Sequence, residues 1–318
     1  MTHGSAIMPD ALRWLWRDYA ANPVISARQP EAMGQPGWDP RAQVYSVIIP
    51  GKPWEPIAGA YQSITGLAAG RDGRVYFSDA AAMRIYQADA EGKVTVFREK
   101  TAGASALRFG PDGRLHAAQP ALHRIVSFGE AGGDEKVLAR NIDATDLAIT
   151  AKGALYFIDA ATKKSVGLLG KGTVATLEHP MEALALSPDQ SLLTAAGPHS
   201  RFNWSFQIAQ DGALVNGEPF FRVDLAEATT RGSAGVTVDS IGQTYFATAL
   251  GIQLCEQNGR CAAILSKPEP SGTLSAIAFG GKDLAWLYAV QGNKLFRRAV
   301  KTRGVDAASP VTPPRPPL

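Results

Sequence analysis

RDGRVYFSD at residues 71–79, PDGRLHAAQ at 111–119 and AKGALYFID at 151–159 begin 40 residues apart. Each is a turn that feeds an apolar run of strand length, and a fixed period of this size marks a repeat architecture. Three weaker copies follow: PDQSLLTAA at 188–196, SIGQTYFAT at 240–248 and GKDLAWLYAV at 281–290. A second short apolar run precedes every copy: 66–68, 107–109, 147–149, 184–186, 236–238 and 277–279. Each unit therefore opens with a hairpin. Third strands are expected at 84–87, 124–128, 203–208, 252–255 and 294–297, and second turns at Glu91-Gly92, Asp211-Gly212 and Asn258-Gly259. Four antiparallel strands per unit, six times over, predict an all-β chain folded as a six-bladed β-propeller. A β-sandwich is the alternative, but sandwiches do not repeat their turns at a fixed period.

The sixth unit runs out of strands after Phe296. The strand-like run 44–49 is the candidate to fill its outer position and close the ring. The spacing from the fourth to the fifth copy is 52 residues rather than 40, which predicts a larger loop built from 214–232. The expected organisation is an N-terminal extension with a short helix over 1–43, the propeller over 44–303 and a proline-rich extended tail over 304–318.

Composition narrows the function classes. Lys plus Arg number 32 against 29 Asp plus Glu, with no long basic run, so nucleic acid is not an expected partner. The apolar runs are far too short for a membrane-spanning helix, and membrane is not an expected partner either. The N-terminus lacks the pattern of a secretory signal, so either the chain is not exported or its signal lies elsewhere. The two cysteines, Cys255 and Cys261, flank Asn258-Gly259. If those two residues form the whole loop, Cys255 faces Ala262 and Cys261 faces Glu256. That register favours free thiols over a disulfide.

In a propeller the first strand of each blade borders the central axis. Counting back equally from each turn gives six positions expected to face one another: Thr65, Ser105, Thr145, Glu182, Ala234 and Ser275. Only Glu182 is charged. Calcium takes six to eight oxygens, several from carboxylates, so this ring is a poor site for it. Glu182 among neutral neighbours is expected to have a raised pKa suited to a general base. A structural carboxylate satisfied by the hydroxyls of Thr145 or Ser105 is the competing reading. Asp146, His179, His199 and Arg201 fall near the pocket mouth and are candidates for orienting a substrate or stabilising an oxyanion. His116 and His123 fall within blade strands and read as structural.

The runs GLAAGRDGRVYFSD, ALALSPDQSLL and GVTVDSIGQTYFATALGIQ resemble the gluconolactonase, senescence-marker-protein and luciferin-regenerating-enzyme superfamily over about residues 44–303. That resemblance implies a six-bladed propeller, one divalent cation such as calcium in the channel, and hydrolysis of a sugar lactone. It implies metal ligands of the glutamate, asparagine and aspartate type where this chain has Thr65, Ser105, Thr145, Glu182 and Ala234. The departure at all five positions predicts no metal cofactor. The expected activity is metal-independent hydrolysis of a lactone or ester with Glu182 as base, on a lactone, sugar or ester held in the channel. The alternatives are a non-catalytic binding propeller, or a cation held by other groups such as Glu182, Asp146 and carbonyl oxygens.

His3-Gly4 followed by PDALRWLWRDY resembles the end of an enterochelin-esterase-like α/β hydrolase. This implies a fused or docked esterase domain, since no Gly-x-Ser-x-Gly elbow occurs in the chain. An amphipathic helix packing through Leu12, Trp14, Leu15 and Trp16 is the alternative.

Overall fold

A computed structural model of the protein describes residues 42–57, 59, 61–225, 232–306 and 311. The expectations for His3, for a helix through Leu12 to Trp16 and for a joined esterase fall outside these residues, as does most of the proline-rich tail.

Six four-stranded antiparallel sheets follow one another around a channel. Their inner strands are Ile64–Ala69, Ser105–Phe109, Ala144–Ile149, Ala183–Leu186, Gly235–Val238 and Leu274–Gly280. Each contacts the next, and the last returns to the first. The turn after each inner strand explains the repeat. In the first blade the Gly70 N–H donates to the Arg74 carbonyl, Gly73 has φ +79°, and the Asp72 carboxylate accepts from the Arg74 N–H at 3.0 Å. Aspartate caps the turn and glycine supplies its left-handed residue. The same pattern recurs at Asp112 and Gly113.

One inner-strand row, Leu67, Leu107, Leu147, Leu184, Val236 and Ile277, is buried between blades. Polar residues ending the second strands hold the crossovers from the preceding blade. Asp79 accepts the Gln62 and Ser63 N–H groups, Gln119 donates to the Thr101 carbonyl, and Gln291 bonds both backbone groups of Glu269. The crossovers therefore carry side chains to fixed places at one end of the channel.

The ring closes with an N-terminal strand, but a different one from that expected. Glu55–Pro56 pairs with the third strand of the sixth blade, placing Glu55 opposite Arg297 and Pro56 opposite Phe296. Residues Ala42–Val47 are helical, and Ile48 forms a single bridge to Val300. The apolar residues Val44, Val47 and Ile48 satisfy helical spacing as well as strand alternation, and they pack on the cluster shared by the fifth and sixth blades. The expected loop over 214–232 is also corrected. Leu214–Arg222 is a nine-residue outer strand, and register shifts along its pairing with Phe202–Ile208 absorb extra residues. Residues 226–231 lie outside the described set.

Cys255 and Cys261 form a disulfide, against the expectation of free thiols. The Glu256 N–H donates to the Arg260 carbonyl and Gly259 has φ +85°, so the loop has three residues, Gln257, Asn258 and Gly259. The extra residue moves the register by one and sets Cys255 opposite Cys261.

His116 is buried, and its Nδ1–H donates to the Arg114 carbonyl at 3.0 Å. Burial holds its pKa below the ordinary histidine value. The neutral form is favoured in the fold, so this stabilisation is present above the unfolded pKa and is lost as pH falls through the lower folded one. Urea unfolding between pH 7.5 and 5 is expected to lose stability on acidification, and His116→Gln is expected to flatten that slope. His123, exposed on the next loop, pairs with Asp143 at 2.8 Å.

Candidate functional site at the crossover end of the channel

The inner strands start at the end of the channel where the crossovers arrive. Thr65, Ser105, Thr145 and Ser275 lie at the starts of their strands, and Glu182 and Ala234 immediately precede theirs. Thr65 Oγ1 is 3.1 Å from Ser78 Oγ. The structure thus brings the six sequence-derived positions to one end.

Glu182 does not stand among neutral neighbours. Its Oε1 accepts from Lys163 Nζ at 3.0 Å, and the carboxylate is about four-fifths buried while the ammonium is more open. The backbone sets this pair. The Met181 N–H donates to the Lys163 carbonyl at 2.7 Å and the Glu182 N–H to the Ala196 carbonyl at 2.8 Å. The crossover is thereby tied to the third blade's loop on one side and to the fourth blade's second strand on the other. Sequence reasoning missed Lys163, which sits in an ordinary Lys-Lys after a turn and becomes adjacent only through the crossover.

The loop bearing His199 and Arg201 lies at the same end. The Ser233 N–H donates to the Gly197 carbonyl and the Gly232 N–H to the Pro198 carbonyl. His179, His199 and Arg201 are exposed. Beneath this loop Asn203 Nδ2 and Ser233 Oγ are buried without partners among the described residues.

Asp146 is not at the mouth. It is buried between the inner strands of the third and fourth blades, where it accepts from the Leu184 N–H at 2.8 Å and from Arg108 Nη2 at 2.8 Å. Burial pushes its carboxyl above the ordinary range, against the opposing pull of Arg108 and of the Leu184 and Leu147 N–H groups. Sequence reasoning also missed Arg108. Its signal was present, because the equivalent inner-strand positions are Ala68, Ala148, Ala185, Thr237 and Ala278, a row of small residues interrupted by one cation. All six line a cavity of about 840 Å³ whose lining reaches the turn residues Asp72 and Asp112, with Phe109 and Phe279 on its walls. None of the six sequence-derived ring positions lines it.

The donor set at the crossover end does not suit a hard cation. Its ring offers one carboxylate, already paired with an ammonium, and no cluster of three His, Cys, Asp or Glu residues occurs among the described residues.

A six-bladed propeller with a polar crossover end and a channel bordered by six first strands defines the class of protein. Residues 64–292 match the family model described as the SMP-30/Gluconolactonase/LRE-like region, and the chain belongs to that family. No curated protein matches it. Solved structures share the fold at low identity. A gluconolactonase from Xanthomonas campestris is 20% identical with a TM-score of 0.70, covering 81% of this chain and 93% of its own. A luciferin-regenerating enzyme is 17% identical with a TM-score of 0.66, covering 80% and 97%. A calcium-binding regucalcin from Agrobacterium tumefaciens is 16% identical with a TM-score of 0.65, covering 79% and 96%.

Proposed function

We propose that the protein hydrolyses a lactone or small ester at the crossover end of its channel, without a metal ion, using Glu182 and Lys163 together. The observation that carries this reading is the 3.0 Å Lys163–Glu182 pair, with Glu182 immediately before the inner strand of the fourth blade. Membership of a family that includes a gluconolactonase supports the reaction class. Glu182 takes a proton from water as the oxygen adds to the carbonyl carbon. The Lys163 ammonium donates to the oxyanion of the tetrahedral intermediate. The carbon–oxygen bond to the leaving group then breaks, and Glu182 returns the proton to the departing alkoxide. Hydroxyls of Thr65, Ser105, Thr145 and Ser275 suit a substrate of sugar type, while His199 and Arg201 stand on the rim. Ala234 adds only a small wall.

Initial rates on gluconolactone and on aryl esters test this, measured with EDTA and with added calcium. Turnover is expected to be indifferent to both, and Glu182→Gln is expected to lower kcat by about 100-fold or more. Turnover abolished by EDTA would overturn the reading. The second reading, a propeller that binds such a molecule without turning it over, is favoured by the same ion pair, which already satisfies the Glu182 carboxylate. Gluconate binding by a wild-type protein with no measurable turnover would select it.

A further inference from the structure

The inner strand of a propeller blade pairs on one side only, so its channel side is a sheet edge whose carbonyls need donors. Arg108 supplies them in the middle of the channel. Its Nη1 donates to the carbonyls of Leu107 at 2.8 Å and Leu67 at 3.3 Å. Its Nη2 donates to Asp146 Oδ2 at 2.8 Å and to the Leu184 carbonyl at 3.3 Å. Four consecutive blades thus point oxygen at one guanidinium: three carbonyls and one carboxylate. Carbonyl and carboxylate oxygens converging on a point are the donor set of a hard cation, with water completing the shell. Here that set surrounds a side chain whose charge is permanent.

We propose that this channel carries its cation built in. The guanidinium of Arg108 holds the oxygen cage of Leu67, Leu107, Asp146 and Leu184, and so excludes a divalent ion from it. The proposal goes beyond the hydrolytic reading, since it concerns residues that reading does not use, and its test measures ion binding rather than turnover. It also accounts for the charge of Asp146 in an otherwise small-residue setting. The carboxylate expected from the sequence as a possible cation ligand does face a cation, one supplied by the neighbouring blade.

Calcium titration by calorimetry, with melting temperature in calcium and in EDTA, separates the possibilities for wild type, Arg108→Ala, Asp146→Asn and the double variant. Wild type is expected to show no site tighter than ~1 mM and a melting temperature indifferent to EDTA. Arg108→Ala is expected to gain one calcium site at least about tenfold tighter than anything in wild type, with a melting temperature that rises with calcium. Adding Asp146→Asn is expected to remove that site. Folding of Arg108→Ala only when calcium is present supports the proposal equally. A wild-type site in the micromolar range that Asp146→Asn abolishes would overturn it. So would a folded Arg108→Ala protein that binds calcium no better than wild type. Wild type and Asp146→Asn alone decide the first of these outcomes, without reliance on the truncated variant.

Discussion

Arg108→Met is expected to destabilise the protein by about 3–5 kcal/mol, because it leaves the Asp146 carboxylate buried with backbone N–H groups and no counter-charge. Methionine replaces much of the arginine stem, so the loss is electrostatic more than volumetric. Asp146→Asn in the wild-type background is also expected to cost stability. It keeps an acceptor for the Leu184 N–H but removes the charge that faces Arg108. The diagnostic feature is a change of sign. In the Arg108→Met background the same Asp146→Asn substitution is expected to restore stability, since it removes a buried unpaired charge. Urea unfolding of the four proteins gives the coupling energy directly. Additive losses would mean that the two side chains do not act as a pair.

Gly197→Ala is expected to disturb both the fold and the site. A Cβ at this position would lie 2.2 Å from the Pro180 carbonyl oxygen and 3.0 Å from the Met181 Cα, both backbone atoms. The crossover that carries Glu182 must move to admit the methyl group. Overpacking of this kind costs about 1–3 kcal/mol. The displaced segment is also the one that sets Glu182 against Lys163 through the Met181 and Glu182 N–H groups. Activity is therefore expected to fall by more than the loss of folded protein explains. Gly133→Ala is the control, because its nearest neighbour would be 3.8 Å from the added carbon and its φ is −83°. A Gly197→Ala protein with wild-type stability and turnover would contradict the placement of the crossover.

The blades were legible in the sequence because one local device, a tight turn with a left-handed residue at Gly73, Gly113, Gly153, Gln190, Gly242 and Asp283, recurs after each inner strand. Turn chemistry is encoded within five residues, so it survives where the rest of a blade diverges. The six positions Thr65, Ser105, Thr145, Glu182, Ala234 and Ser275, at or just before the starts of the inner strands, were legible for the same reason, since a fixed count from each turn reaches them. What depends on contacts distant in sequence was not. Residues 44–49 satisfy both helical and strand periodicity, and packing on the fifth and sixth blades decides for a helix over Ala42–Val47. The disulfide turned on a single loop residue, which changes the partner of each cysteine. Lys163 meets Glu182, and Arg108 meets Asp146, only once neighbouring blades are side by side. The sequence shows each charge but not its partner. For that reason Glu182 read as solitary, and Asp146 as a group at the pocket mouth.

We propose that fixed side-chain charges stand in the channel of this propeller in place of a hard cation. An ammonium faces Glu182 at the crossover end, and a guanidinium faces Asp146 in the middle. The most direct measurement of this claim is a crystal structure of wild-type protein grown with millimolar manganese chloride, with anomalous scattering recorded for the metal. The Arg108 guanidinium is expected within hydrogen-bond distance of the Leu67 and Leu184 carbonyls and of Asp146, with no anomalous peak in the channel. A manganese peak coordinated by Asp146, with the Arg108 side chain turned away from those carbonyls, would contradict it.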